Sequence, residues 1–317
     1  MITADHSKLF RVLSHSDNAP DGTPLKTNTF SRMDAMCIVE NDLYCIKTDT
    51  SQASPNDKYK VAFYKFPNFT SFDSSASLPS VCFITTSAGS QYIAEHANSL
   101  TCRDKNNRIF MMATQNDPNN SNAQVVEFGE NGIITSKISA NERIYRIDYY
   151  GKVSNKNRYI ICQGKAESSP IDYKYKRVHI DDLHFVKDFG FTIKGTNSSY
   201  SSGNDDYYDR TTHKLYTTKM IKLPQQPRPE GGYEDTIRQN RICEYDLSSV
   251  SEGDNVYGTD IIQSDYSFTD GYNEWMYEIE GLGLYGGSVY VCTNTKVIMN
   301  NTLKDYDCVY SLTGVTL

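Results

Sequence analysis

Five segments of this chain repeat one plan: a short strand, a turn built on Asn, Gly or Asp, and a second strand that opens on an apolar-aromatic pair. They are MDAMCIVENDLYCIKT from Met33, HANSLTCRDKNNRIFMMAT from His96, RIDYYGKVSNKNRYIICQG from Arg146, NDDYYDRTTHKLYTTKM from Asn204 and EIEGLGLYGGSVYVCTN from Glu278. A third strand follows each after a polar loop: KVAFYKF from Lys60, AQVVEF from Ala123, YKRVHI from Tyr175, RICEYDL from Arg241 and DCVYSL from Asp307. Most units add a fourth, such as GIITSKIS from Gly132, FVKDFGFT from Phe185 and GTDIIQSD from Gly258. A unit of three or four strands cannot cover both of its own faces, so repeats at this spacing must stack on one another.

Stacked four-strand sheets close efficiently into a ring, which leaves few exposed edges. The fifth unit lacks a fourth strand before Leu317, and the N-terminal run KLFRVLSH, from Lys8 to His15, has the missing pattern. The expected fold is therefore all-β: a single domain over 1–317, a five-bladed β-propeller whose N-terminal strand completes the last blade. The clasp is expected between residues 8–15 and 305–312. A further strand, VCFITT from Val81, would raise the count to six if it belonged to a blade of its own. No stretch keeps helical apolar spacing for three turns; Asp246 to Ser251 offers one turn at most.

Composition narrows the function classes. The 317 residues carry 32 basic and 39 acidic side chains, a net charge of -7, with a pI near 5.4. Such a balance argues against wrapping phosphate backbones, so no nucleic-acid partner is expected. No apolar span is long enough for membrane insertion, and MITADHSKLFRVLSH lacks the apolar core of a secretion signal. A soluble, cytoplasmic protein is the expectation from these features.

In a propeller the first strand of every blade lines the central channel, and residues two apart point the same way. Aligning the repeats brings Asp34, Asn98, Asp148, Asp205 and Glu280 into one ring, with Arg32, His96, Arg146, Gly203 and Glu278 two residues earlier. Trp275, Tyr272 and Tyr277 precede the fifth channel strand, Tyr207 and Tyr208 sit in the fourth, and Tyr145, Tyr149 and Tyr150 in the third. Flat rings stack on sugar faces while Asp and Asn groups bind hydroxyls. The candidate ligand site is thus Asp34, His96, Asn98, Arg146, Asp148, Asp205, Glu278, Glu280 and Trp275, for a glycan or another small polar ligand.

Three readings of this ring stand side by side. In the first, Arg32 and Arg146 pair Asp34, Asp148 and Glu280 in a wet structural channel. In the second, the ring binds a ligand, or its carboxylates and Asn98 surround Ca²⁺, which takes six to eight oxygens. In the third, two carboxylates such as Asp34, Asp148 or Glu280 work as a glycosidase pair, one protonated and one ionised. His96 is the one histidine on a predicted channel strand and the natural proton carrier, or else a donor to a neighbouring blade's backbone. No resident cofactor is called for: the chain has no HExxH, P-loop or GxSxG pattern, and GLGLYGG from Gly281 has no helix after it to hold a phosphate.

The eight cysteines include no CxxC and mostly sit among apolar strand residues, as small hydrophobes do. Cys37 with Cys45 and Cys292 with Cys308 could face each other across hairpins, though free thiols are the expectation. Polar inserts at Gln115 to Asn122, Asn197 to Arg210 and Leu223 to Gln239 belong on the rims, where a protein partner could dock.

The segments EHANSLTCRDKNNRIFMMAT and YEIEGLGLYGGSVYVCTN resemble repeats of bacterial and phage five-bladed propellers, a group that includes helveticin-type bacteriocins and phage receptor-binding proteins. The resemblance implies a binder of cell-surface glycopolymers; it carries no catalytic set to specific residues. Non-enzymatic recognition at the channel mouth is therefore the leading expectation, with a glycoside-processing enzyme and an interaction scaffold as alternatives.

Overall fold

The computed structural model describes residues 1–13, 32–48, 60–73, 79–94, 96–102, 108–114, 123–139, 144–165, 172–179, 186–195, 205–221, 226–227, 233–234, 239–264 and 273–315. Its strands form five antiparallel sheets, the blades of a five-bladed β-propeller. From channel to rim, blade 1 is Arg32–Val39, Asp42–Thr48, Val61–Phe66 and Ser80–Phe83. Blade 2 is His96–Cys102, Ile109–Thr114, Ala123–Phe128 and Ile134–Ser139; blade 3 is Arg146–Val153, Lys156–Lys165, Tyr173–His179 and Val186–Lys194. Blade 4 is Asp206–Asp209, Lys214–Ile221, Gln239–Asp246 and Thr259–Ser264. Blade 5 is Asn273–Tyr285, Ser288–Met299 and Cys308–Thr313, completed by the N-terminal Asp5–Arg11. The first strands of consecutive blades are neighbours all the way round, and that of blade 5 returns to that of blade 1. Val81 belongs to the outermost strand of blade 1, so it starts no sixth blade.

The period of two along each strand explains how the ring is held together. Both faces of every blade are covered, so alternate residues enter different interfaces. On Ile109–Thr114, Ile109, Met111 and Ala113 pack into the cluster between blades 1 and 2, whereas Phe110 and Met112 pack between blades 2 and 3. On blade 3, Tyr159 and Ile161 face blade 2, while Ile160 and Cys162 face blade 4. Tyr277, Ile279 and Leu282 join blade 4's Tyr216 and Ile242, and Met36, Leu43 and Cys45 of blade 1 pack against Tyr290, Cys292 and Val309 of blade 5. Every interface between neighbouring blades thus holds its own apolar core.

The N-terminus closes the ring as expected, its strand starting at Asp5, three residues before Lys8. Asp5–Arg11 pairs antiparallel with Cys308–Thr313, bulging at Leu9. Phe10 sets this register: it is buried and stacks on Phe66 of blade 1, with ring centroids 4.4 Å apart. Two straps extend the closure. Ile2–Thr3 adds a parallel edge strand to Thr259–Ser264 of blade 4, and Asn255–Tyr257 adds one to blade 3. Underneath, Lys47 and Asp307 form an ion pair of 2.9 Å with both side chains wholly buried. Asp307 also accepts hydrogen bonds from Met33 N at 3.0 Å and Thr295 N at 2.9 Å, and Lys47 donates to Val12 O at 3.2 Å. One carboxylate therefore joins blade 5, blade 1 and, through lysine, the N-terminal strand.

Within the predicted inserts, Gln226–Pro227 pairs with Tyr233–Glu234 as a ribbon outside all five sheets; residues 115–122 and 197–204 lie outside the described residues. The glycine run is a hairpin as expected, with Gly286 and Gly287 at φ 58° and 78°, the conformation a two-residue primed turn requires. Gly281 has a different task. A Cβ there would lie 2.6 Å from Met36 N, so its bare backbone lets the first strands of blades 5 and 1 approach.

Candidate functional site

Bulges aim the polar residues of the channel strands. In blade 1 the pairing steps from Met33 to Ala35, leaving Asp34 as the extra residue; in blade 5 it steps from Ile279 to Gly281 around Glu280. In blade 2 the shift between His96 and Ser99 contains Asn98. A bulged residue leaves the ladder and its side chain is re-aimed. Arg32 gathers this layer: its Nε donates to Asp34 Oδ1 at 2.7 Å. Burial opposes its charge, yet Asp34, Glu280 and Glu278 together hold the guanidinium above its ordinary value. Asn294 Nδ2 reaches Glu280 Oε1 at 3.5 Å. Arg32, Asp34, Glu278 and Glu280 therefore do come together, as the repeat alignment anticipates.

Blade 3 is out of step with that alignment. Ser99 Oγ donates to Ile147 O at 2.7 Å and accepts from Ile147 N at 3.2 Å. Two residues on, Thr101 Oγ1 donates to Asp148 Oδ1 at 2.7 Å and accepts from Tyr149 N at 3.1 Å. Residue 146 thus stands level with Asn98, and Asp148 sits one layer further along the channel, beside Leu100. Arg146, buried, turns to blade 4 and pairs Asp206 Oδ1 at 2.7 Å, while Tyr175 Oη donates to Asp206 Oδ2 at 2.7 Å. The partners expected for Arg32 and Arg146 are Asp34, Asp148 and Glu280; Arg32 does pair Asp34, whereas Arg146 pairs Asp206.

Asp205 spans the channel. It is 1% exposed, and burial, reinforced by Asp206, drives its carboxyl well above the usual range. Its Oδ1 lies 3.2 Å from Ser99 Oγ, whose single proton already serves Ile147 O. Its other oxygen, Oδ2, is buried without a hydrogen-bond partner among the described residues. Asp205 therefore links blades 2 and 4 as a structural plug.

Beyond the plug lies a cavity of about 70 Å³ to which every blade contributes: Met36, Cys37 and Ile38 from blade 1, Leu100, Thr101 and Cys102 from blade 2, Asp148 and Tyr149 from blade 3, Asp206, Tyr207, Tyr208 and Arg210 from blade 4, and Leu282 from blade 5. Such a space admits a few waters or one polar substituent, well short of the several hundred Å³ that enclose a whole drug-sized ligand. Asp148 is its acid. Burial raises the carboxyl to about 6 even though Thr101 Oγ1, Tyr208 N and Tyr149 N all donate to it. Arg210, exposed at the turn, lies with its guanidinium carbon 5.1 Å from the Tyr149 ring centre. Tyr208 stacks on Tyr150 at 4.7 Å and shares a 2.7 Å hydrogen bond with His213 Nδ1.

The remaining predicted residues divide. His96 and Asn98 are half-buried at the start of the blade 2 channel strand, with His96 opposite Thr114. Trp275 lies on Asn273–Tyr285, its side chain outside the described residues, as is Tyr272. Tyr277 is core, not a platform: it is fully buried and bonds His6 Nε2 at 2.6 Å. Thr101, Arg210 and Asp206 were not singled out from sequence; only Thr101's place two residues after Ser99 on a channel strand could have pointed to the wall. Among the described residues, no group of three or more His, Cys, Asp or Glu side chains is placed to hold a metal ion. Among the described residues, too, no helix is long and apolar enough to cross a membrane.

No family model matches the chain, and no curated protein matches it. Solved structures do. A tail fiber of Staphylococcus aureus phage P68 superposes with a TM-score of 0.50 at 10% identity over 98% of this chain, which spans 52% of the fiber chain. A family-43 β-1,3-galactosidase solved with galactodeoxynojirimycin superposes with a TM-score of 0.50 at 7% identity, covering 94% of each chain. At these identities the likeness is one of fold: the chain is similar to both as a propeller.

Proposed function

We propose that this protein is a non-enzymatic recognition propeller that binds a carbohydrate or a similar polyhydroxylated ligand at the channel cavity. The observation that carries the reading is the cavity wall. It combines an acceptor, Asp148, a hydroxyl, Thr101, a cationic donor, Arg210, and two tyrosines, Tyr207 and Tyr208, in a recess sized for one substituent of a larger ligand. Acceptors and donors converging beside aromatic rings are what hydroxyl groups on a flat sugar face require. The similar folds of a phage tail fiber and a galactosidase are compatible with a glycan partner.

Hydrolysis is the weaker reading on the same residues. A carboxyl raised to about 6 suits a general acid, but catalysis needs a second carboxylate with a free oxygen nearby. Asp206 has both oxygens engaged by Arg146 and Tyr175. Asp34 Oδ1 is paired with Arg32 and Asp205 Oδ1 with Ser99, and the second oxygen of each is buried, closed to solvent and to a substrate.

A glycan array on the intact chain tests the proposal, followed by calorimetric titration of the best binder into Asp148→Ala and Arg210→Ala. Each variant is expected to bind at least about tenfold more weakly, the loss of one good polar contact. Unchanged affinity in both, with melting temperatures intact, would remove the site. Loss confined to Glu280→Ala would move it to the Arg32 cluster.

A further inference from the structure

Two sulfur atoms in the cavity wall belong to different blades. Cys37 lies on the first strand of blade 1 and Cys102 ends the first strand of blade 2; both are half-buried and both line the recess beside Thr101 and Asp148. Both side chains pack against the apolar core between blades 1 and 2, and burial, reinforced by the neighbouring Cys102, pushes the Cys37 thiol well above its ordinary range. The pairs expected from the hairpins are out of register by one residue. Cys37 stands opposite Tyr44 and Cys45 opposite Met36; Cys292 stands opposite Val309 and Cys308 opposite Thr293. Adjacent positions on a strand point to opposite faces, so neither of those pairs can meet. Of the other six thiols, five are buried, and Cys82 is half-buried on the rim strand of blade 1.

We infer that Cys37 and Cys102 form a peroxide-oxidisable pair that closes to an intramolecular disulfide between blades 1 and 2. The oxidant is hydrogen peroxide. One cysteine thiolate attacks a peroxide oxygen, the O–O bond breaks, and the departing hydroxide takes up a proton to become water, leaving a sulfenic acid. The second sulfur attacks that sulfenic sulfur, the S–O bond breaks, and a second water leaves. Two thiols and one peroxide thus give one disulfide and two waters, with two electrons passing from sulfur to oxygen. Size selects this oxidant. A recess of about 70 Å³, room for a few waters, takes in hydrogen peroxide whole, whereas glutathione disulfide is far too large to enter whole. Because the thiolate is the attacking species, the reaction accelerates with rising pH.

The test is mass spectrometry on the folded, reduced chain after dilute peroxide. The expected result is a loss of two hydrogens in the intact mass and a reducible cross-link between the peptides carrying Cys37 and Cys102. Glutathione disulfide should give no cross-link over the same time. In Cys102→Ser, Cys37 should stop at a sulfenic acid that dimedone traps. Since the first measurement uses the unaltered chain, it stands even if that variant fails to fold. Both thiols still reduced while Cys82 is oxidised, separate sulfinic acids on Cys37 and Cys102, or cross-linking as fast with glutathione disulfide would each overturn the inference.

Discussion

Asp307→Ala is the sharpest perturbation of the closed ring. The carboxylate is wholly buried, lies 2.9 Å from Lys47, and accepts from the backbone of Met33 in blade 1 and Thr295 in blade 5. Truncation removes the carboxylate 2.9 Å from a buried ammonium and deprives two N–H groups of acceptors. Stranding one member of a buried ion pair costs about 3–5 kcal/mol, and a lost acceptor about 1–3 kcal/mol where no water enters. The terms overlap, so we expect a loss of about 4 kcal/mol. In a chain of this size that lowers Tm by about 8 °C or more, taking about 2 °C per kcal/mol. Urea unfolding monitored by tyrosine fluorescence and by far-ultraviolet dichroism measures it, with coincident curves licensing a single free energy. Adding Lys47→Met to Asp307→Ala should restore part of the loss, because no charge then remains stranded. A cost below about 1 kcal/mol for Asp307→Ala would refute the claim that this pair binds the closure.

Three further perturbations probe the channel. Burial raises Asp148 from 3.8 to about 6, so the folded state holds this proton more tightly than the unfolded chain; its contribution to stability is greatest below pH 3.8 and declines as pH rises to about 6. Two units correspond to about 3 kcal/mol, so Asp148→Asn should gain on the parent by up to that amount between pH 4 and 7 in paired urea titrations; parallel curves would falsify the assignment. Gly281→Ala places a Cβ 2.5 Å from Met36 Cγ and 2.6 Å from Met36 N; prying blades 1 and 5 apart should cost about 1–3 kcal/mol in denaturant midpoint, and a neutral result would contradict the close approach. Ser99→Ala removes the acceptor of Ile147 N and the partner of Asp205, and should cost about 1–3 kcal/mol; no change would mean that water replaces the hydroxyl.

The blade count was legible because each repeat alternates in step with its strand: Ile109, Met111 and Ala113 serve one interface, Phe110 and Met112 the next. The layer at Arg32, Asp34, Glu278 and Glu280 was legible for the same reason. What escaped was register. A bulge inserts one residue without changing composition, so Asp34 and Glu280 could be placed on a strand but their aim could not be read. In blade 3 the alignment followed the Asp of RIDYYGK, whereas the hydroxyls of Ser99 and Thr101 set the level and carried Asp148 into the cavity. The N-terminal clasp was legible as a strand, but its start at Asp5 and the long-range stacking of Phe10 on Phe66 were not. The Lys47–Asp307 pair joins residues 260 positions apart, and the identity of a strand lysine announces nothing about such a partner.

Ring closure by the N-terminus underlies every one of these placements, and amide hydrogen exchange on the intact chain tests it most directly. The account predicts that the paired amides of Asp5–Arg11 and Cys308–Thr313 exchange as slowly as those of the channel strands Arg32–Val39 and His96–Cys102, because opening the clasp breaks the ring that protects them all. Rapid exchange in 5–11 and 308–313 beside slow exchange in the channel strands would show a propeller held together without its clasp, and would contradict the account.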